Sequence, residues 1–420
     1  MTDTATERFA ALVAFDWADQ KHAGALRTPD GKKESFELEQ SSAPIDLWAT
    51  KLRERFAGKP IAICLEQSKG ALIYALMKYN FFILYPINPK QLSRFRDALH
   101  PSGSKDDPSD ADLLLELLSK HRDRLHPWRP DDETTRLIGQ LCQDRRGLVD
   151  QRTRFTNALK SRLKQYFPLA LEVLGELDCE LACQFLLRWS NLRSLQLEDP
   201  QQVASFYRTM HCYHPELIER RLEKIAEATP LVTDEAIVIS GEMMVQTLAA
   251  QLLSLIVRLK QYDLKIAELM KRHPDAEIFK SFPGAGAALA PRLLAAFGTD
   301  RERLRCADEM ERLSGIAPVT VKSGKSSHVH RRWACNKYLR QTFHEFALHS
   351  LLQSAWAKAY YDMMCARGAH HHSAIRALAF KWIRIIQRCW RTRTRYDEAK
   401  YFQTLRERNS PILAFMAKPN

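Results

Sequence analysis

The chain has 420 residues and a formal net charge of +13, from 63 lysines and arginines against 50 aspartates and glutamates. Its 45% hydrophobic content is ordinary for a globular protein, and its length allows two or three domains. The basic excess favours a polyanionic partner, and no continuous apolar run approaches the roughly 20 residues of a spanning helix, so we expect nucleic acid rather than a membrane. Nine cysteines without paired CxxC spacing favour a reducing cytosol.

The first 90 residues show an α/β pattern. The nearly continuous apolar run FAALVAFDW (9–17) predicts a central strand, followed by strands at 22–28 and 33–39. Helix and strand patterns then alternate, as helix 44–56, strand 60–67, helix 70–79, strand 81–87 and helix 109–121. Three strands in a meander followed by alternating helices and strands are the order of an RNase H-like, or RuvC-like, domain.

Residues from about 132 to 272 are predicted to be almost entirely helical. One segment alternates apolar residues at spacings of three and four, which indicates either a coiled coil or an intramolecular helical hairpin. The two alternatives stay open at this point. The seam consists of Val245, Leu248, Leu252, Leu255, Leu259, Tyr262, Ile266 and Leu269.

A third, mainly helical part begins near residue 275. Its PGAG sequence (283–286) indicates either a plain tight turn or a helix–turn–helix whose backbone N–H groups meet a DNA phosphate. Residues 376–408 hold ten basic and three acidic residues, with Trp382, Trp390 and Tyr396 between them. This pattern fits a nucleic-acid surface, or an amphipathic helix with its aromatic side chains in the core.

Carboxylates follow the predicted strands. Asp16 interrupts the first strand, Glu66 closes the later one, and Asp107 and Asp110 lie three residues apart at a helix start. Charges at buried strands are costly unless paired or metal-bound, and converging carboxylates favour Mg²⁺, a hard ion with oxygen ligands. Asp107 before a proline is also a good helix cap, and the cap is the alternative for that cluster.

Several motifs resemble the DEDD transposases of the bacterial insertion-sequence 110 family. AFDWADQKH, CLEQSKGALIYAL and GSKDDPSDADLLLELL resemble the N-terminal domain, and LSGIAPVTVKSGKSSHV and CNKYLRQTFHEFAL the C-terminal transposase domain. The match covers roughly 9–121 and 275–352. It implies a RuvC-like DEDD domain (1–127), an all-α coiled-coil linker (128–272), a mainly α transposase domain (273–365) and a basic helical extension (366–420).

The resemblance implies an acidic tetrad of Asp16, Glu66, Asp107 and Asp110 that binds Mg²⁺. The third motif reads KDDPSDA here, with Asp106 where the family has threonine, so Asp106 is an alternative to Asp107. The family's serine nucleophile corresponds to Ser323, with Ser326 and Ser327 as rivals and His328 as a candidate helper. The nucleic-acid contacts are assigned to Lys322, Lys325, Arg331, Arg332 and Arg340.

By resemblance, the protein is a DNA transposase or recombinase of the bacterial cytoplasm, acting at the nucleoid. Strand cleavage and transfer would pass through a phosphoserine, and the partners would be donor and target DNA, a structured bridge RNA and further copies in a homodimer or homotetramer. One alternative is a RuvC-like junction endonuclease that uses water. Another, from a different class, is a non-catalytic nucleic-acid-binding scaffold whose acids are helix caps.

Overall fold

The computed structural model describes residues 9–66, 70–99, 107–324 and 326–416. The chain divides into two compact units, with the boundary between Pro130 and Asp131. The finer division into four segments stays a prediction.

The first unit is built on a five-stranded mixed sheet with helices on both faces. Its strand order is β3-β2-β1-β4-β5, in which β1 pairs antiparallel with β2 and parallel with β4. This is the RNase H-like arrangement expected from the sequence. The strands are β1 (Ala11–Asp16), β2 (Lys21–Arg27), β3 (Lys33–Glu39), β4 (Ile61–Leu65) and β5 (Phe82–Pro86), and the helices are α1 (Ser42–Arg55), α2 (Ala71–Leu76), α3 (Pro89–Leu99) and α4 (Asp107–His121).

The two faces of this sheet pack on different helices. Side chains alternate along a strand, so Val13 and Ile63 belong to the core shared with α1 and α2, whereas Ala14 and Cys64 belong to the core shared with α4. Burial on both faces explains why β1 and β4 appear in the sequence as continuous apolar runs rather than as alternating ones.

Helix α3 was not predicted. It starts at Pro89, directly after Asn88, whose Oδ1 accepts a hydrogen bond from the Lys90 backbone N–H at 2.9 Å. A polar cap followed by proline at the first helical position is a recognised helix-start signal, so this element was readable from the sequence. Its apolar side is narrow, with Leu92 buried and Phe95 partly buried.

The second unit is helical apart from one two-stranded hairpin. Its elements are α5 (Glu133–Tyr166), α6 (Leu169–Leu174), α7 (Glu180–Arg188), α8 (Leu192–Gln196), α9 (Pro200–Thr209), α10 (Pro215–Glu227), α11 (Glu235–Arg272), α12 (Ala276–Lys280), α13 (Gly286–Phe297), α14 (Ala307–Leu313), β6 (Val319–Ser323), β7 (Ser326–His330), α15 (Lys337–Ser350), α16 (Ala355–Ala366), α17 (His371–Thr392), α18 (Glu398–Glu407) and α19 (Ile412–Met416).

The apolar seam of α11 packs within the chain. Helices α5 and α11 run antiparallel, since Arg145 contacts Asp263 while Arg162 lies 3.3 Å from the Ser240 hydroxyl. The seam residues Val245, Leu248, Leu252, Leu259 and Ile266 are buried. The structure therefore favours the intramolecular hairpin for this seam.

Helix α11 bears on the expectation that no segment of the chain spans a membrane. By length and composition it is apolar enough to cross a membrane, although no such segment was expected. Helices in the cores of globular proteins can be equally long and apolar. The apolar seam of α11 likewise packs against another helix of the chain, α5.

Two of the three aromatic residues named in the basic C-terminal part lie in the core, which favours the amphipathic-helix alternative for residues 376–408. Trp382 and Trp390 are fully buried on α17, and their indole N–H groups donate to the Ser350 hydroxyl at 2.9 Å and the Gly298 carbonyl at 2.6 Å. Since these rings are enclosed and their polar atoms satisfied, they cannot stack on nucleotide bases. The basic residues of α17 alternate with them on the outer side.

The PGAG sequence forms a close turn against α15. Gly284 has a φ of +82°, and a Cβ there would lie 2.7 Å from the backbone of His349 and Ser350. Its N–H donates to the Gln353 side chain at 2.8 Å, and the Ala285 N–H donates to the Phe282 carbonyl at 3.1 Å. Because both N–H groups are already used, the structure favours the tight turn over a phosphate-binding loop.

We predict that Gly284→Ala lowers the thermal unfolding midpoint more than Gly368→Ala. Both glycines have positive φ, +82° and +87°, so either substitution strains the backbone by about 1–2 kcal/mol. Only Gly284 meets neighbouring backbone, because a Cβ at Gly368 has nothing within 4 Å. Calorimetry that found equal midpoints for the two variants would contradict this account.

Candidate active site

Two carboxylates meet at one edge of the sheet. The parallel register pairs Phe15 with Leu65, so Asp16 and Glu66 occupy adjacent positions at the carboxyl ends of β1 and β4. By strand alternation they share the face of Ala14 and Cys64, which is the face covered by α4. Both side chains are half-buried.

A cavity of about 460 Å³ opens at this edge and receives a third carboxylate. Asp110 projects into it from the first turn of α4 and is itself buried, with 2% of its surface exposed. Asp107 begins α4, but its side chain lies outside the described residues, as does the whole of Asp106. The cavity is lined by Asp16, Trp17, Glu66, Pro89, Lys90, Ser93, Arg96 and Asp110.

Arg96 of α3 balances the charge of Asp110. Its Nε donates to Oδ1 at 3.0 Å and its Nη2 to Oδ2 at 2.5 Å, which makes a two-pronged ion pair. Burying a carboxylate without a partner costs several kcal/mol, so this pairing is what permits Asp110 to lie inside the unit. It also means that a cation approaching Asp110 competes with a guanidinium already in place.

The residue types of the cavity suit a hard divalent cation. Asp16, Glu66 and Asp110 supply carboxylate oxygens, the donors that Mg²⁺ prefers. Within the described ranges, however, no group of three or more histidine, cysteine, aspartate or glutamate side chains is drawn together tightly enough to hold a metal ion. The three carboxylates therefore line one cavity, but they do not surround a single position that a metal ion could occupy.

Ser323 lies far along the chain, at the tip of the β6–β7 hairpin. It ends β6, is exposed, and pairs with Ser326 across a turn that contains Gly324 at a φ of +56°. Glycine suits this turn because it adopts positive φ without strain. The hairpin thus presents Ser323 to solvent.

The two faces of the hairpin differ in chemistry. Cross-strand pairing and alternation place Ser323, Ser326 and His328 on one face, whereas Lys322 and Ser327 pair on the other. The Ser326 hydroxyl lies 2.8 Å from His328 Nε2, the arrangement of a hydroxyl and its base. His328 therefore contacts the rival serine rather than Ser323.

The predicted nucleic-acid contacts fall into separate places. Lys322 is exposed on the hairpin, and Lys325 lies outside the described residues. Arg331 and Arg332 directly follow β7, and Arg340 lies on the first turn of α15. Arg331 and Arg340 line a common pocket in the second unit, to which Lys322 and Arg332 do not contribute.

Sequence reasoning missed Lys90, Ser93 and Arg96, three of the four cavity residues that come from α3. Their spacing of three residues places them on one helix face, which was readable once α3 was recognised. The contact of Arg96 with Asp110 was not readable, because it depends on how α3 packs beside α4.

Comparison with known proteins shows the relatives of this chain. A transposase family model, that of the DEDD transposases of IS110, matches residues 13–168. A second, described as the transposase IS116/IS110/IS902 family, matches residues 276–362.

Similar proteins extend over most of the chain. A Streptomyces coelicolor protein named for a transposase role in the IS117 mini-circle is 28% identical, covering 95% of this chain and 98% of its own length. The 43.6 kDa protein of insertion element IS110, also from Streptomyces coelicolor, is 25% identical over 93% and 96%. The 42 kDa protein of insertion element IS900 from Mycobacterium paratuberculosis is 26% identical over 72% and 77%.

Proposed function

Because the chain belongs to the IS110/IS116 family of transposases, we propose that it excises and inserts an insertion sequence by Mg²⁺-dependent cleavage and transfer of DNA strands through a phosphoserine intermediate. The observation that carries the proposal is the convergence of Asp16, Glu66 and Asp110 on one cavity from three separate elements. Carboxylates that serve only as helix caps have no reason to share a cavity.

The carboxylates supply the ligands of the proposed site. Divalent ions held by Asp16, Glu66 and Asp110 would neutralise a scissile phosphate and stabilise the attacking and leaving oxygens. Arg96 orients the buried Asp110 carboxylate through its two-pronged ion pair. Asp107, one helical turn before Asp110 on α4, is proposed as the fourth ligand, with Asp106 as its alternative.

Ser323 is proposed as the nucleophile. Its Oγ forms a bond to phosphorus while the bond from phosphorus to the leaving-strand oxygen breaks, and that oxygen takes up a proton. The serine proton passes to a base, for which we propose His328, because it lies on the same hairpin face as Ser323 and its ring is positioned by the Ser326 hydroxyl, 2.8 Å from Nε2. Attack of a second strand's hydroxyl on the phosphoserine would then restore the serine and join the strands.

Self-association and a bridge RNA complete the proposal. Helix α11 exposes Met243, Val257 and Leu264, whose spacings of 14 and 7 residues place them on one stripe. These side chains are 67%, 45% and 72% exposed on a helix whose opposite side is already packed, which supports pairing with a second copy. The net charge of +13 supports RNA and DNA as partners.

We predict that Tb³⁺, a hard cation like Mg²⁺, binds the carboxylate cavity and luminesces when tryptophan is excited, since Trp17 lines the same cavity. Asp16→Asn should weaken Tb³⁺ binding about tenfold or more, and Trp17→Phe should dim the signal without weakening binding. Excess Mg²⁺ should displace the ion.

The matched control for this titration is Asp112→Asn. Asp112 lies on α4 but contacts Lys33 and does not line the cavity. An Asp16→Asn protein that binds Tb³⁺ as tightly as the Asp112→Asn protein would refute the metal site.

We predict that Ser323→Ala abolishes covalent capture of DNA. The protein is incubated with Mg²⁺, end-labelled DNA carrying the element's ends and the element's RNA, then denatured and run on a gel. Ser326→Ala should slow adduct formation, because it breaks the contact that orients His328, and Ser327→Ala, on the opposite face, should leave it unchanged.

The outcomes of this trapping experiment separate the alternatives. Cleavage without any adduct would support the water-using junction endonuclease, and an adduct lost only in Ser326→Ala would transfer the nucleophile to Ser326. The absence of any Mg²⁺-dependent cleavage would leave the non-catalytic nucleic-acid-binding scaffold as the remaining alternative.

We predict that Leu264→Glu lowers the molar mass of the assembly, measured by light scattering, because it places a charge in the exposed stripe of α11. Leu352→Glu is the control, since Leu352 is 86% exposed outside that stripe. An unchanged mass for Leu264→Glu would rule out association through this stripe.

A further inference from the structure

The second unit contains a basic pocket separate from the serine. It has a volume of about 430 Å³ and lies where the segment after β7 meets the first turns of α15 and α17. Its lining residues are Arg331, Lys337, Arg340, Gln341, His344, Glu345 and Arg376.

The positive charges of this pocket are unbalanced. Lys337, Arg331, Arg340 and Arg376 form no salt bridge with any acidic side chain in the described parts of the chain. Arg331 instead stacks on the Trp333 ring at 4.9 Å, and its Nε is buried without a hydrogen-bond partner among the described residues.

The one acid that lines the pocket is already neutralised from outside it. Glu345 Oε2 accepts from Arg292 at 2.5 Å, while Oε1 accepts from Gln341 at 2.8 Å and lies 3.4 Å from Arg146. Neither Arg292 nor Arg146 lines the pocket. The carboxylate therefore cannot offset the four cations that do.

The convergence of these cations is unfavourable in the free protein. Burial, and then repulsion by Arg331 and Arg340, lower the pKa of Arg376 from its ordinary value, although the guanidinium remains charged. Burial and the neighbouring His372 lower the pKa of His344, so near neutral pH its ring offers hydrogen bonds rather than charge. Such an arrangement becomes favourable when an anion enters.

We propose that this pocket binds a backbone phosphodiester of a nucleic-acid strand and holds that strand in register with Ser323. This role rests on the proposed function: the pocket would hold a second phosphate of the strand, one that does not react. Three arginines in fork geometry and one lysine match phosphate oxygens in charge as well as in hydrogen bonding, whereas an uncharged base edge would leave the four cations unneutralised.

The phosphate held here is not the one that Ser323 attacks. Ser323 pairs with Ser326 at the tip of the hairpin, and Arg331 follows Ser326 by five residues at its base. At roughly 3.3 Å per residue, that length of strand spans about 17 Å. The pocket therefore anchors another phosphate of the strand, and its residues are positioning residues.

The test is equilibrium binding in EDTA, so that no cleavage occurs. Labelled duplex DNA of random sequence and labelled single-stranded RNA are titrated with the full chain, with Arg376→Gln and with Arg340→Gln. Each substitution should weaken binding about tenfold and lower the slope of log affinity against log salt by about one. Loss with DNA alone or RNA alone identifies which strand occupies the pocket.

Two further measurements separate binding from folding. Arg376→Gln relieves repulsion, so its thermal midpoint should equal or exceed that of the unmodified protein, whereas a structural arginine would lower it. Arg388→Gln, an exposed residue of the same helix that does not line the pocket, controls for the lost charge and should change affinity less than twofold.

Equal effects of Arg376→Gln and Arg388→Gln, or no effect on either nucleic acid, would overturn the proposal. Because EDTA removes the cleavage step, these results stand whether or not Ser323 proves to be the nucleophile. If no covalent DNA adduct is trapped but the pocket variants still weaken nucleic-acid binding as expected, the phosphoserine chemistry is refuted and the phosphate site stands.

Discussion

The parallel pairing of β1 with β4 is the constraint on which the carboxylate site depends. Leu65 lies fifty residues after Phe15 in the chain, yet the two residues pair in the parallel ladder. The same pairing makes Asp16 and Glu66, one residue further along each strand, neighbours. Strand alternation then directs both toward α4, which carries Asp110. A shift of one residue in this register would turn Glu66 to the opposite face, so the buried apolar residues of both strands indirectly fix the geometry of the acids.

The Arg96–Asp110 pair explains how the cavity accommodates a buried carboxylate. Asp110 is buried, with 2% of its surface exposed, and converging carboxylates repel one another. The guanidinium of Arg96 offsets one of these charges with two hydrogen bonds. An ion entering the cavity must therefore compensate for displacing or sharing this partner, which makes α3 part of the site even though it supplies no acid.

Much of the first unit could be predicted from the sequence, because its strands are buried on both faces and appear as apolar runs that end at Asp16 and Glu66. Helix α3 was missed because its apolar stripe is narrow, although Asn88 and Pro89 mark its start. The partner of Asp110 could not be predicted, since it depends on the packing of two helices. The transposase family was predicted from local motifs and confirmed by the family models, whereas the roles assigned to individual residues stay predictions.

In the second unit, the sequence left alternatives that packing decides. A heptad seam does not say whether its partner is another helix of the same chain or a second copy, and α11 shows an apolar seam on α5 together with exposed apolar residues elsewhere on its surface. Likewise, basic and aromatic residues alternate along α17, but the aromatic rings are enclosed and the outer arginines are not. Composition alone therefore does not separate the residues of this helix that pack in the core from those that stay at the surface.

The two charged sites are alike in their energetics. Acids gather in the first unit and arginines in the second, and each cluster is held together against repulsion by the apolar packing around it. Arg96 recovers part of this cost at Asp110, and a bound charge of opposite sign would recover the rest, so unfavourable clusters indicate function more strongly than favourable ones do. A basic protein with an acidic cavity is therefore no contradiction: the cavity is suited to cations and the pocket to phosphate, the two kinds of charge that the proposed strand transfer would bring together.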